Sequence, residues 1–132
     1  MVFLDANVPM YLVGADHPNR ATCAAILQKL ALEGRKLVTD AEVYQEILHR
    51  YVAIRRPEAI QPAFDILSQL VDEVFPLSLE LVHVARGIVL GYPGLSARDA
   101  VHIATMQSKS ISEVLSFDDG FDRMPGLTRI FE

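Results

Sequence analysis

Two rhythms of apolar and polar positions alternate along the chain. The first is the short unbroken apolar run, which fits a strand buried on both faces and is too brief for a helix. Five stretches show it: "MVFL" at the N-terminus, "RKLVT" from Arg35, "VFPL" from Val74, "EVLSF" from Glu113 and "TRIF" from Thr128. The second is the three-to-four-residue recurrence of an amphipathic helix. From Asn19 to Glu33 it runs through Cys23, Ile26, Leu27, Leu30 and Ala31, with Asn19 as the expected N-cap and Gly34 as the residue just past the end. "DAEVYQEILHRYVAIR" carries it through Val43, Ile47, Leu48 and Tyr51 until Pro57 stops it. "PEAIQPAFDILSQLVDE" and "SLELVHVARGIVLGY" read as two more helices, the second ended by Gly91, Pro93 and Gly94. "SARDAVHIATMQSKS" opens with Ser96 as N-cap and Asp99 three residues on. "ANVPMYLVGA", with Pro9, is a short helical or irregular connection.

Short strands alternating with helices predict an α/β protein, a parallel sheet with helices on both faces. Ligands of such sheets bind beyond the carboxyl ends of the strands. Asp5 directly follows the first strand and Asp118 the fourth, so the two acids meet only if those strands are neighbours. No linker or repeat divides the chain, and 132 residues suit one domain, 1–132, with a continuous core.

Composition narrows the class. With 51% apolar and 22% charged residues the chain is neither disordered nor fibrous. No apolar run approaches the ~20 residues of a membrane span, and "MVFLD" lacks the basic start of a secretory signal, so a soluble cytoplasmic protein without membrane contact is expected. The single cysteine, Cys23, sits among apolar neighbours and allows neither a disulfide framework nor a zinc cluster. A net charge of −5 argues against gripping nucleic acid by bulk charge, yet metal ions held by carboxylates can supply local positive charge to a phosphate.

Four acids stand beside or within apolar sequence: Asp5, Glu46, Asp99 and Asp118. Each has a structural explanation. Asp5 serves equally well as the cap of the turn after its strand, Glu46 as part of a solvated stripe with Glu42, Asp99 as the acidic partner of Ser96 in a capping box, and Asp118 or Asp119 as the cap of a turn eased by Gly120. Taken jointly they read differently. Two carboxylates about 4 Å apart repel by roughly 4 kcal/mol at an effective dielectric near 20. A cluster therefore needs protons or cations, and an all-oxygen set suits Mg²⁺ or Mn²⁺.

The motifs "FLDANV", "TDAEVYQEILHRY", "LSARDAVHIATM" and "VLSFDDGFDRMPGL" resemble, in order and over essentially the whole chain, those of the PIN-domain nucleases, especially the VapC-type toxins of prokaryotic toxin–antitoxin pairs. The resemblance implies a PIN-like three-layer α/β/α sandwich with a short-stranded, mostly parallel central sheet. It implies a divalent-metal-dependent endoribonuclease cleaving RNA phosphodiester bonds, with one or two Mg²⁺ or Mn²⁺ ions, a homodimer, and a small VapB-like antitoxin that holds the toxin inactive and also binds DNA. Asp5, Glu46, Asp99 and Asp118 match the catalytic acids of the family, Asn7 the polar residue two after the first acid, and Ser116 the hydroxyl two before the last. Phe117 stands where the family commonly has a polar residue, and Asp119 adds an acid next to the expected ligand, in a supporting position.

Asp5, Asp99 and Asp118 are thus the metal-ligand candidates, direct or through water, and Glu46 is suited to orienting a water or accepting its proton. Arg50, Arg55 and Arg56, beside His49 and Tyr51, are candidates for tracking an RNA backbone or for facing the antitoxin. His102 reads as a core or rim histidine. The alternative functions are a small Mg²⁺-dependent phosphatase or phosphotransferase and a receiver-like domain with an acidic pocket. Asn7 stands where phosphatase chemistry wants a second acid, and "RKLVTD" and "VFPL" supply a receiver's phosphoacceptor poorly.

Overall fold

The computed structural model describes residues 1–132. In chain order it contains β1 (Val2–Leu4), α1 (Asn7–Val13), α2 (Pro18–Leu32), β2 (Leu37–Asp40), α3 (Ala41–Ala53), α4 (Ile60–Leu70), β3 (Glu73–Phe75), α5 (Leu79–Gly91), α6 (Ala97–Ser108), β4 (Glu113–Leu115) and β5 (Thr128–Ile130). Short 3-10 turns at Pro57–Ala59 and Asp119–Arg123 precede α4 and β5. No helix is long and apolar enough to cross a membrane.

The strands form one sheet in the order β3-β2-β1-β4-β5, and every neighbouring pair is parallel. Because crossovers between parallel strands are right-handed, the path β1-β2-β3 lays α1 to α4 on one face, and the return to β4 lays α5 and α6 on the other. α1 packs on α2 and α4, α3 on α4, and α5 on α6, while α3 also meets α6 across the two groups. The three residues of β1 are wholly buried, as a central strand covered on both sides requires. The chain leaves β1 toward β2, and β4 lies on β1's other side, so the switch point of the sheet falls between β1 and β4.

Several local expectations shift by a residue or two, each for a stated reason. The N-cap of α2 is His17 rather than Asn19, because its Nδ1 accepts the Asn19 backbone N–H at 3.0 Å while Pro18 takes the first helical position. Gly34 does end that helix, at φ 68°, where a Cβ is disfavoured. Leu48, assigned to the buried face of α3, is exposed, and only Val43, Ile47 and Tyr51 are buried there. The segment 57–73 divides into a 3-10 turn and α4, and β3 runs over 73–75 because Pro76 has no N–H to extend the ladder.

Candidate active site

The parallel register pairs Leu4 with Leu115, so the residues that follow, Asp5 and Ser116, emerge side by side at the carboxyl end of the sheet. Asp5 is almost fully buried. Its Oδ1 accepts the Ala6 N–H at 2.8 Å and its Oδ2 accepts the Ser116 hydroxyl at 2.7 Å. The same hydroxyl oxygen accepts the Asp118 N–H at 3.0 Å and the Asn7 amide at 3.2 Å. Its one donor and both lone pairs are thereby used, and Ser116 ties the acid after β1 to the turn after β4. Asn7 reaches back across the same junction, its Oδ1 accepting the Phe117 N–H at 3.4 Å.

That turn is capped by Asp118, whose Oδ1 accepts the Gly120 N–H at 2.9 Å. Of the two acids the sequence offered for the cap, Asp118 takes it, and Asp119 is solvent-exposed in the first turn of the 3-10 segment. Asp118 also lines the main cleft. Gly120 does not ease the backbone by a left-handed φ. Its role is steric: a Cβ there would lie 2.6 Å from Asp99 Oδ2 and 3.3 Å from Asp118 Oδ1. The carboxylates of Asp99 and Asp118 thus close on one glycine Cα from two elements. Asp99 enters from the start of α6, where Ser96 Oγ accepts its backbone N–H at 3.0 Å, leaving its side chain free of capping work and only 6% exposed.

Glu46 arrives from α3, half-buried rather than on a solvated stripe. Beside it stands His102, which the sequence reads as a core or rim histidine, paired with Asp40, which it does not single out. His102, one turn beyond Asp99 on α6, is fully buried, and its Nδ1 lies 2.8 Å from Oδ2 of Asp40, the buried N-cap of α3. Its Nε2 has no hydrogen-bond partner and points between Glu46 Oε1 at 3.6 Å and Asp5 Oδ1 at 3.9 Å. The signal for Asp40 was present: like Asp5 it ends a buried strand adjacent to the switch point.

Crowding shows in the acid–base behaviour of these groups. Burial raises Asp5 above the ordinary carboxylate value, with the charge of Glu46 adding to it. Asp99 is pushed up to about 7 by burial first, then by the charges of Asp5 and Asp118. Burial opposes the charged form of His102, but the hydrogen bond to Asp40 and the neighbouring carboxylates of Asp40, Glu46 and Asp5 outweigh it and hold the ring well above its ordinary value. The signs agree. Between the ordinary carboxylate range and about 7 the folded chain holds a proton on Asp99 that the unfolded chain has released, so stability falls as pH rises through that window. The contribution of charged His102 is complete below its unfolded value near 6.5 and is lost as pH rises through the raised folded value. In EDTA, the melting temperature should therefore fall from pH 5 to pH 8, and Asp99→Asn should flatten the part below pH 7. A melting temperature that climbs over that range would contradict the crowding.

Asp5, Glu46 and Asp118 open onto a cleft of about 880 Å³ that Asn7, Arg50 and Arg56 also line; Asp99, buried against Gly120, is not among its lining residues. Arg55 is not among the lining residues; at φ 59° it turns the chain out of α3. Arg56 pairs with Glu58 at 3.2 Å. Tyr11 and Phe117 also line the cleft and meet edge to face, so Phe117 gives up the polar contact usual at its position for an aromatic one. The donor set suits a divalent cation: carboxylate oxygens from four elements, a raised proton affinity at Asp5 and Asp99, and a buried imidazole nitrogen without a hydrogen-bond partner. Ligand atoms of Asp5, Glu46 and His102 all lie within 4.8 Å of one another.

Comparison with known proteins agrees with this geometry. The sequence matches the PIN domain family over residues 2–127. It is 53% identical over 130 residues to Ribonuclease VapC13 of Mycobacterium tuberculosis, covering 98% of this chain and 99% of that protein. Among solved structures it is similar to M. tuberculosis VapC20, described as a sarcin-ricin loop cleaving toxin, at TM-score 0.76 and 22% identity over 92% of this chain and 93% of that one. A toxin–antitoxin complex from Klebsiella pneumoniae is similar at TM-score 0.65 and 15% identity, over 97% and 96% of the two chains.

Proposed function

Because the chain belongs to the PIN domain family, we propose that it is a divalent-metal-dependent endoribonuclease, the toxin of a type II toxin–antitoxin pair. The observation that carries the reading is that Asp5, Glu46 and Asp118, from three separate elements, line one cleft at the switch point of the sheet, with Asp99 of a fourth element buried close enough to feel the charges of Asp5 and Asp118.

Asp5, Asp99 and Asp118 would hold Mg²⁺ or Mn²⁺, with Glu46 joining directly or through water. When bound, the ion supplies positive charge to the scissile phosphate and lowers the pKa of a water. Everything else is work for the chain. Ser116 and the Ala6 N–H fix the rotamer of Asp5, so its carboxylate is aimed before any ligand arrives. Asn7 and Ser116 hold the turn that presents Asp118. Glu46, on a longer side chain with one face toward the cleft, is placed to orient the attacking water and accept its proton. Arg50 and Arg56 at the cleft wall give the RNA backbone local positive charge that the net −5 of the chain does not. Asp119 stands outside the cleft and supports the site only through its position beside Asp118.

The likeness to a toxin–antitoxin complex supports a VapB-like antitoxin as protein partner, and a homodimer is the assembly we propose with it. The test is cleavage of structured RNA together with thermal melting. EDTA should abolish cleavage, Mg²⁺ or Mn²⁺ should restore it, and metal at about 100 times its Kd should stabilise the fold by about 2.7 kcal/mol. Cleavage that survives EDTA, or melting indifferent to millimolar metal, would count against the proposal.

A further inference from the structure

We infer that His102 is itself a ligand of this site, giving the divalent ion a nitrogen donor through Nε2, and that the site consequently favours Mn²⁺ over Mg²⁺. The inference rests on the metal reading above and adds a ligand that the acidic motifs do not contain.

Three ligand atoms from three elements face one another: Asp5 Oδ1, Glu46 Oε1 and His102 Nε2. The imidazole is wholly buried, and Nε2 is the one buried side-chain nitrogen or oxygen without a partner. A histidine retained only for packing would be expected to satisfy both nitrogens. Here only Nδ1 is satisfied, by Asp40, which is itself fixed by capping α3 through its other oxygen, 2.9 Å from the Val43 N–H. In the metal-free protein the surrounding carboxylates favour a second proton on the ring; a cation would displace that proton from Nε2 to solvent, while Asp40 keeps the other on Nδ1, the arrangement that orients histidine ligands toward metals. The Phe3 and Phe121 rings pack near the imidazole, with centroids 5.4 and 6.4 Å away.

The spacing fits an ion. Donors about 2.1 Å from an octahedral centre stand about 3 Å apart when adjacent and about 4.2 Å apart when opposite. The 3.6 and 3.9 Å separations from Nε2 exceed the adjacent spacing by less than about 1 Å, so small side-chain shifts would close the three atoms on one ion, and they are too long for a direct hydrogen bond from a protonated ring. Mg²⁺ binds oxygen and keeps its waters, whereas transition ions accept imidazole, so a nitrogen in the set shifts the preference toward Mn²⁺.

The probe is Mn²⁺ alone, added at one equivalent to the metal-free protein, read by pulsed electron paramagnetic resonance. Immobilised Mn²⁺ should show echo modulation from a directly bound ¹⁴N that disappears when histidine is supplied as the ¹⁵N form. The other histidines, His17, His49 and His83, are exposed. The combined variant His17→Asn, His49→Ala, His83→Ala leaves His102 as the only imidazole without touching the core, and it should keep the modulation. Calorimetry on the same variant should give at least tenfold tighter binding of Mn²⁺ than of Mg²⁺. Mn²⁺ that binds without nitrogen modulation, or modulation lost in the triple variant, overturns the histidine ligand and leaves the acidic metal site standing. Mn²⁺ that does not bind overturns both.

Discussion

Asp5→Asn is expected to lower RNA cleavage on the order of 10³-fold, the effect of losing several kcal/mol of charge stabilisation at the reacting phosphate. The variant should still fold. Asparagine is the same size, and Asp5 sits in a place where charge is costly: buried, raised above the ordinary carboxylate value, and close to Glu46. Removing that charge relieves the metal-free protein. Against this, the amide matches only one of its two present partners, since both the Ala6 N–H and the Ser116 hydroxyl donate to the carboxylate. One mismatched buried contact costs about 1–3 kcal/mol. The two effects oppose, so stability in EDTA should change by no more than about 2 kcal/mol, while the stabilisation by added Mn²⁺ disappears. Cleavage assays and chemical denaturation of the same preparation measure both. Activity within tenfold of the parent protein would remove Asp5 from the chemistry.

Gly120→Ala should be nearly as damaging, although glycine carries no functional group. Its added methyl would lie 2.6 Å from Asp99 Oδ2 and 3.3 Å from Asp118 Oδ1, well inside van der Waals contact. Asp99 has a short side chain on the buried face of α6 and cannot swing clear without leaving the cluster. The 3-10 turn must then shift, or the carboxylate must turn away from Asp5 and Glu46. A misplacement of about 1 Å among catalytic groups costs on the order of 10²-fold in rate. The expected result is that loss in kcat, with weakened metal binding. Full activity in Gly120→Ala would mean that Asp99 has no fixed position to defend.

Much of this arrangement was legible in the sequence because it follows local rules. Val2–Leu4 and Glu113–Leu115 are unbroken apolar runs, and the acids after them stood out by contrast. Ser96 with Asp99 announced the start of α6, and the structure has that cap. What pattern could not supply was which strands adjoin. Only the pairing of β1 with both β2 and β4 makes Asp5 a neighbour of Asp40 on one side and of Ser116 on the other. For the same reason His102 read as a core histidine: its partner Asp40 lies 62 positions away, on another element. Helix periodicity placed it on the buried face but gave no account of what Nε2 meets there. Gly120 was read through its backbone freedom, whereas its value lies in the hydrogen atom that leaves room for two carboxylates. Contacts made across elements, rather than along one, separate what sequence rhythm reveals from what needs the fold.

The central claim is that Asp5, Glu46, Asp99 and Asp118 form one divalent-metal site. Its most direct test is a crystal of the protein soaked in Mn²⁺ and measured for anomalous scattering. A peak enclosed by those four carboxylates, and absent from Asp5→Asn crystals soaked alike, is the expected result. Crystals that take up Mn²⁺ only elsewhere, or show no peak among the four acids at saturating metal, would contradict it.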